Sequence, residues 1–292
     1  MNSYFLGIDG GGSHCRARLE NASGELLGVG HAGPANVATS PATAKTNIAL
    51  ATDEALSAAH LSNHPEQVYA VLGLAGYNLP AGKITMESWH SPFADTLITT
   101  DMHIACVGAH AGQDGAIIIV GTGSSAIRCR GDQQQALGGY GFPIGDQASG
   151  AWLGLSAVQQ CLLLCDQLIA NEPFQQAILK AADANNAMDL AEIFYAAKPA
   201  EFARLAPTVM ELAEAQNPVA LSLVTQATEY LQQLVEQLSQ NNTTNIAVVG
   251  GLANSLTDYL PKAIKNRLCP AQLTPLQGAA LLARQKFATL GA

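Results

Sequence analysis

Gly7-Ile-Asp-Gly-Gly-Gly-Ser13 governs how the rest of the chain is read. Three consecutive glycines follow an aspartate at the end of a short apolar run, Tyr4 to Ile8. Glycine lets the backbone N–H groups of a turn come close to a ligand. Successive N–H groups form a concavity that takes anions, phosphate above all. A carboxylate beside phosphate is repelled unless a cation lies between them. Mg²⁺ fills that role, usually held by one or two carboxylates together with phosphate oxygens and water. The stretch therefore suggests a Mg-nucleotide site. The same residues also suit a tight hairpin, and on their own they leave both readings open.

The flanking residues narrow the choice. Tyr4–Ile8 reads as a strand, and His14–Glu20 alternates Cys15, Ala17 and Leu19 against His14, Arg16, Arg18 and Glu20, which is the period of a second strand. A Rossmann loop would lead into a helix and a Walker loop would carry Lys, and neither condition is met. Asn21–Gly24 is a turn, with a third strand starting over Glu25–Gly30. Pro41–Ala59 has helical spacing; Val68–Ala75 and Leu97–Thr100 read as strands, and Ile104–His110 as a helix behind Asp101. Gly115–Val120 and Ser125–Arg130 are strands on either side of Gly121-Thr-Gly-Ser124. Residues 151–240 are mostly helical, Ile246–Val249 is a strand, Gly250-Gly251 opens a turn, and Gly278–Phe287 is a closing helix. Strand, glycine-rich turn, strand thus occurs over residues 5–19 and again over 116–130. Two such hairpins could hold a polyphosphate from both sides, or could be unrelated.

Composition sets outer bounds. The chain has 292 residues, 48% of them hydrophobic and 13% charged, enough apolar material for about two ordinary domains. Its net charge is −9, with no Lys/Arg run, which argues against nucleic acid and against an anionic membrane surface as partners. The six cysteines, at 15, 106, 129, 161, 165 and 269, form no CxxC and no zinc spacing. Cys161 and Cys165 fall in an apolar helical stretch and read as core. With no signal-peptide pattern and no apolar run of membrane-spanning length, a soluble cytoplasmic protein with reduced thiols is expected.

The stretches Gly7–His14, Gly33-Pro-Ala-Asn36, Thr100-Asp101, Gly121-Thr-Gly-Ser124, Gly138-Gly-Tyr-Gly-Phe-Pro-Ile-Gly-Asp146, Ser149-Gly150 and Gly250-Gly251 resemble, in order and spacing, the motifs of the sugar kinase/Hsp70/actin superfamily. Within it the chain is most similar to N-acetylglucosamine kinases and bacterial glucosamine kinases, relatives of the BadF/BcrA-type activator ATPases. The resemblance implies an α/β, two-lobed actin-like ATPase (ribonuclease H-like) fold, with duplicated βββαβα cores and an interdomain cleft. Residues 1–104 plus 278–292 would form the N-terminal lobe, and 105–277 the C-terminal lobe with a helical insertion. It implies ATP and Mg²⁺ as cofactors, an amino sugar as substrate, and a homodimer. The reaction implied is phosphorylation of the 6-hydroxyl of N-acetylglucosamine, or alternatively of glucosamine.

Roles follow residue by residue from the resemblance. Asp9 would hold Mg²⁺; its plainer use is to start the turn. Gly10, Gly11, Gly12 and Ser13 would contact phosphate, as would Gly121, Thr122, Gly123 and Ser124, and Gly250 and Gly251 would pack the adenosine. Asp101 would be the catalytic base that accepts the proton of the sugar hydroxyl, and it also suits a helix N-cap. Asn36 and Asp146 would bind sugar hydroxyls, with Thr122, Gly139, Gly145 and Asp101 alongside; Asn36 could otherwise be a loop residue tolerating the left-handed region, and Asp146 a turn residue or cap. The family often has Gly-Asp-Glu-Gly-Ser where this chain has Gly145-Asp-Gln-Ala-Ser149, and Gln147 points toward the glucosamine type. An activator ATPase would carry a cluster-binding cysteine just before the second Gly-Thr-Gly, where this chain has Ala116-Ile-Ile-Ile-Val120. A non-catalytic sensor would be expected to lack Asp101 and to add a DNA-binding segment, and none precedes Tyr4.

Overall fold

The computed structural model describes residues 3–240 and 245–288. Its contacts divide the chain into two units. The first holds the residues up to Gly115, Cys129–Gln134 and the stretch from Pro270 onward; the second holds Ala116–Arg128 and Gln135–Cys269.

The first unit is built on a five-stranded sheet in the order β3-β2-β1-β4-β5. β1 (Tyr4–Gly10) pairs antiparallel with β2 (Cys15–Glu20), which pairs antiparallel with β3 (Leu26–Ala32). On its other side β1 runs parallel to β4 (Val68–Leu74), and β4 parallel to β5 (Asp95–Thr100). A strand's two-residue period sorts β1 into two faces. Leu6 and Ile8 enter a core with Ile48, Ala51 and Ala55 of α1 (Pro41–Ala58). Phe5 lies on the opposite face, in a core with Ile104 of α3 (Asp101–Ala109) and Ala279, Ala283 and Phe287 of α12 (Pro275–Phe287). Asp9 shares the parity of Phe5 and Gly7, so it points to the side covered by α3 and α12. α2 (Pro80–Glu87) completes this unit, and the sequence reading had no element there.

The alternation in β2 misleads at one position. Glu20 falls on the polar side of the pattern yet is only 4% exposed. Arg18 Nε donates to its Oε1 at 2.6 Å, and Arg284 Nε on α12 donates to its Oε2 at 2.9 Å. This buried carboxylate ties the last helix to the hairpin. Removing one member of a buried charge cluster strands the others. Glu20→Ala is therefore expected to cost about 3–5 kcal/mol of stability; a thermal midpoint unchanged from the parent's would show the cluster to be dispensable.

Most of a four-stranded sheet in the order β8-β7-β6-β9 belongs to the second unit. Its strands are β6 (Gly115–Val120), β7 (Ser124–Arg130), β8 (Gln133–Gly138) and β9 (Ile246–Val249). β6 and β9 are parallel, and a single bridge from Ile246 to Leu268 continues the sheet beyond β9. The helices of this unit are α4 (Gly150–Cys165), α5 (Glu172–Ala182), α6 (Ala187–Phe194), α7 (Pro199–Ala203), α8 (Ala206–Glu214), α9 (Pro218–Leu238), α10 (Ala253–Thr257) and α11 (Lys262–Lys265). Their apolar faces build one core, centred on residues such as Leu153, Phe174, Val209 and Leu231. Cys161 is buried in it, as expected of a core residue, and burial followed by the neighbouring Cys165 pushes its thiol up. All six cysteines are free.

The division falls after Gly115 and before Pro270, whereas the sequence suggested 104/105 and 277/278. A cut at 104 would split α3. That helix belongs with the first unit because Gly108 and Gly278 let the backbones of α3 and α12 touch: a Cβ at Gly278 would overlap Ile104 O, and one at Gly108 would lie 2.5 Å from Thr274 O. Residues 1–2 and 289–292 of the suggested N-terminal lobe lie outside the described residues. Among the described residues no helix is long and apolar enough to cross a membrane.

Candidate active-site residues of the two units

In the first unit the glycine turn joins β1 to β2 as a hairpin, with Gly11 N donating to His14 O at 2.9 Å. Backbone hydrogen bonds lace it to two other segments. Ala35 N donates to Gly11 O at 2.8 Å, Ala75 N to Gly10 O at 2.7 Å, and Val37 N to Ala75 O at 3.0 Å. The loop carrying Asn36 is thereby fixed against the turn that carries Gly10–Ser13. A Cβ on Gly12 would meet nothing within 4 Å, and Gly12 and Ser13 are exposed. This side of the turn is open to a ligand.

Asn36 lies in a loop and does not use the left-handed region. Its Oδ1 accepts from Ala38 N at 3.0 Å and Thr39 N at 3.1 Å, which fixes the side chain. A Cβ on Gly76 would lie 2.5 Å from that same oxygen, so Gly76 supports Asn36 from behind. The amide Nδ2 is the atom Asn36 has to offer a ligand.

Asp101 is the first residue of α3, and the helix starts three positions earlier than the sequence suggested because Thr100 caps it. Thr100 Oγ1 accepts from His103 N at 3.1 Å, so the capping role considered for Asp101 belongs to Thr100. Asp101 Oδ1 accepts from its neighbour Met102 N, at 2.9 Å. A Cβ on Gly73, the β4 partner of Asp9, would run into the Ile104 side chain, and Asp101 lies one turn before Ile104. This brings Asp101 to Asp9. Burial, and then the Asp9 charge, raise the Asp101 carboxyl above its ordinary range, against the lowering effect of the Met102 N–H. His103, two residues on, is lowered by burial, and its Nδ1 lies 2.8 Å from Thr99 Oγ1.

Asp9 also has a partner that the sequence did not reveal. Arg16, opposite it in the β1–β2 register, donates from Nη2 to Asp9 Oδ2 at 2.6 Å. Among the described residues no three His, Cys, Asp or Glu side chains form a metal cluster. Two neighbouring carboxylates suit Mg²⁺, which takes one or two protein carboxylates and completes its shell with phosphate and water. The donor set therefore fits the ion, and Asp9 would hold it.

In the second unit Gly121–Gly123 turns between β6 and β7, with Gly121 N donating to Gly123 O at 2.9 Å. α4 begins against this turn: Gly150 N donates to Gly121 O at 2.8 Å and Ala151 N to Thr122 O at 3.1 Å. Ser149 caps the helix by accepting from Trp152 N at 3.1 Å. The positive end of a 16-residue helix thus faces the turn. Ser124 is buried, and its hydroxyl donates to Gln147 O at 2.6 Å. It serves the turn's architecture.

Asp146 sits beside the same turn. A Cβ on Gly123 would come within 2.7 Å of its Oδ2, so only glycine admits the carboxylate there. Asp146 accepts from the N–H groups of Gly141 and Ser124, yet burial still raises its carboxyl above the usual range. Gly139 has a left-handed φ of 69°, and Gly145 N donates to Gly141 O at 2.7 Å, folding the 138–146 loop back on itself. Tyr230 of α9 was not anticipated. Its hydroxyl would lie 2.9 Å from a Cβ on Gly138, and burial, then Asp146, raise it. Only the fold brings a lone tyrosine of the helical region here.

Gly250 and Gly251 leave β9 beside the point where β6 ends, because the two strands are parallel neighbours. Leu252 N donates to Val120 O at 3.1 Å. Gly250 has φ +109°, and a Cβ there would overlap Val120 O, so glycine is required on both counts. This unit thus brings together Gly121–Ser124, Asp146 and Gly250–Gly251, while the first brings together Asp9, Gly10–Ser13, Asn36 and Asp101.

Strand orders that repeat a glycine-turn hairpin, with carboxylates at strand ends and turns open to anions, define an actin-like ATPase of the sugar-kinase type. The chain belongs to the BadF/BadG/BcrA/BcrD ATPase family, whose pattern matches residues 6–283. It is 32% identical over 289 residues to the glucosamine kinase of Vibrio cholerae serotype O1, covering 96% of each chain. Among solved structures it resembles a candidate N-acetylglucosamine kinase from Chromobacterium violaceum, at 33% identity and a TM-score of 0.86 over 97% of this chain and 99% of that one. A ROK family glucokinase from Streptomyces griseus, solved with glucose and AMPPNP, shares the fold at 16% identity and a TM-score of 0.57, over 97% of this chain and all of that one.

Proposed function

We propose that this chain is an ATP-dependent amino-sugar kinase that transfers the γ-phosphoryl group of ATP to the 6-hydroxyl of a hexosamine. The observation that carries the reading is Asp101, a half-buried carboxylate with a raised pKa that accepts from local N–H groups and forms no ion pair among the described residues. A hydroxyl nucleophile must lose a proton as it attacks, and a carboxylate poised above its ordinary range is suited to take it. Release of ADP then completes the transfer. The turns 10–13 and 121–124 bind the phosphates, Gly250 and Gly251 pack the adenosine, and Asn36 and Asp146 bind sugar hydroxyls beside Gly139, Gly145 and Thr122. Mg²⁺, when held by Asp9, supplies charge neutralisation at the phosphates.

The acetylated and free amino sugars are supported by different observations. The relative from Vibrio cholerae is named a glucosamine kinase, and Gln147 fits that type. The Chromobacterium violaceum structure is described as a candidate N-acetylglucosamine kinase. Coupled ADP release with Mg-ATP and each sugar in turn separates them. Release without any sugar would instead favour an activator ATPase. A cytoplasmic homodimer goes with the kinase reading and is checked by light scattering of the purified chain.

Asn36→Asp gives a clean probe of sugar binding. It keeps the acceptor that holds Ala38 and Thr39, and it replaces the Nδ2 donor by a charged acceptor oxygen. The sugar KM is expected to rise by roughly 10-fold, the cost of one lost hydrogen bond to a polar ligand, with the thermal midpoint and the ATP KM near the parent's. A change confined to ATP kinetics would remove Asn36 from the sugar site.

A further inference from the structure

Arg16 is a cation beside the glycine turn of the first unit that no sequence motif assigned. It donates to Asp9 Oδ2 at 2.6 Å, across the hairpin from the residue that suits Mg²⁺. Its side chain is nevertheless 47% exposed, so one end is pinned and the other faces solvent. The turn beside it is open, with nothing within 4 Å of where a Cβ on Gly12 would stand. Asp101 lies close enough to Asp9 for the Asp9 charge to be felt there. In the ligand-free chain Arg16 therefore supplies the positive charge that two neighbouring carboxylates need.

We propose that Arg16 is an exchange arm: it holds Asp9 until Mg-ATP arrives, then leaves it and pairs with the nucleotide's phosphate. The inference rests on the chain using Mg-ATP, as proposed above. A guanidinium and a divalent ion cannot both lie against the same carboxylate oxygen without strong repulsion. The released guanidinium is long, planar and always charged, and its fork of N–H donors matches phosphate oxygens two at a time. Five residues of chain, Gly11 to Cys15, separate the arm's strand position from Gly10, so the arm and the turn amides reach the same anion. A static brace of the hairpin would not need a half-exposed arginine beside an open glycine turn.

Arg16→Gln and Arg16→Lys test this in two independent ways. The first uses Mn²⁺ alone, titrated into nucleotide-free protein and followed by electron paramagnetic resonance. Exchange predicts that Arg16→Gln binds Mn²⁺ about fivefold or more tightly than the parent, since a competing unit charge is gone, while Arg16→Lys stays near the parent. The second is steady-state kinetics. Arg16→Gln is expected to lower kcat/KM for Mg-ATP by roughly 10- to 100-fold, the worth of hydrogen bonds to a charged group, with the sugar KM little changed; Arg16→Lys recovers part of it. Mn²⁺ binding that is equal or weaker in Arg16→Gln, or Mg-ATP kinetics within about twofold of the parent, overturns the proposal. If the parent shows no sugar-dependent turnover, the kinase reading falls, and the Mn²⁺ titration still decides whether Arg16 competes for Asp9.

Discussion

Asp101→Asn is expected to lower kcat by about 10²- to 10⁴-fold, the usual worth of a positioned general base, while the dissociation constant for the amino sugar stays within a few-fold of the parent's. Asparagine keeps the shape and can still accept the Met102 N–H, which Asp101 Oδ1 takes at 2.9 Å. Helix α3 keeps its cap, because Thr100 provides it. The variant therefore folds, and the lost turnover reads on chemistry. Turnover near the parent's would remove Asp101 from the proton transfer.

The same substitution has a second, opposite signature. Burial and then the Asp9 charge raise the folded-state pKa of Asp101. The fold thus favours the protonated carboxyl. That contribution is fully present below the ordinary carboxylate pKa and is lost as pH rises through the raised folded value. At neutral pH the parent keeps an ionised group where the fold disfavours one, so Asp101→Asn should raise the thermal midpoint of ligand-free protein. The gain should shrink as the pH falls and vanish below about 3, where the carboxyl is neutral in both states. The acid limb of kcat/KM for the parent should likewise lie above the ordinary carboxylate range. A variant that loses activity without gaining stability at neutral pH would mean that Asp101 is solvated, in conflict with its burial.

Much of this site was legible because its determinants are local. Glycines in a turn, two flanking strands of period two, and a strand ending in Thr-Asp are written within a few residues of one another. The parallel strand β9 was legible as a short apolar run before Gly250-Gly251. Other elements were not. β8 is Gln-Gln-Gln-Ala-Leu-Gly, polar and exposed along most of its length, so no alternation marks it. α2 begins with Pro80 and mixes polar with apolar residues, and a helix of eight residues gives little periodicity to read. The start of α3 was missed because a cap acts through one hydroxyl, which sequence pattern weighs no more than any other threonine. Pairings across the chain were invisible for a different reason. Glu20 with Arg284, Asp9 with Arg16, and Tyr230 beside Asp146 depend on register and on helix placement, which only the fold supplies. The division by contacts differs from the suggested lobe boundary for the same reason, since α3 joins the first unit through a glycine contact with α12.

Asp9→Asn separates a metal-holding carboxylate from a hairpin brace. Asparagine is nearly isosteric and can still accept from Arg16, whose half-exposed side chain limits what their ion pair adds to stability to about 0–1 kcal/mol. The variant should therefore fold with a thermal midpoint close to the parent's. If Asp9 holds Mg²⁺, kcat/KM for Mg-ATP should fall by about 10²- to 10³-fold, the cost of removing one preorganised electrostatic element from a transfer site. Sugar binding, proposed to draw on Asn36 and Asp146, should be little affected, and the Mn²⁺ titration of nucleotide-free protein should flatten. A brace predicts the reverse: a lowered midpoint, unchanged metal binding and near-normal turnover. Arg16→Gln completes the comparison, because both variants break the same ion pair. A shared brace would give them one phenotype, whereas a metal ligand and its displaced cation give opposite shifts in Mn²⁺ affinity, weaker without the carboxylate and tighter without the guanidinium.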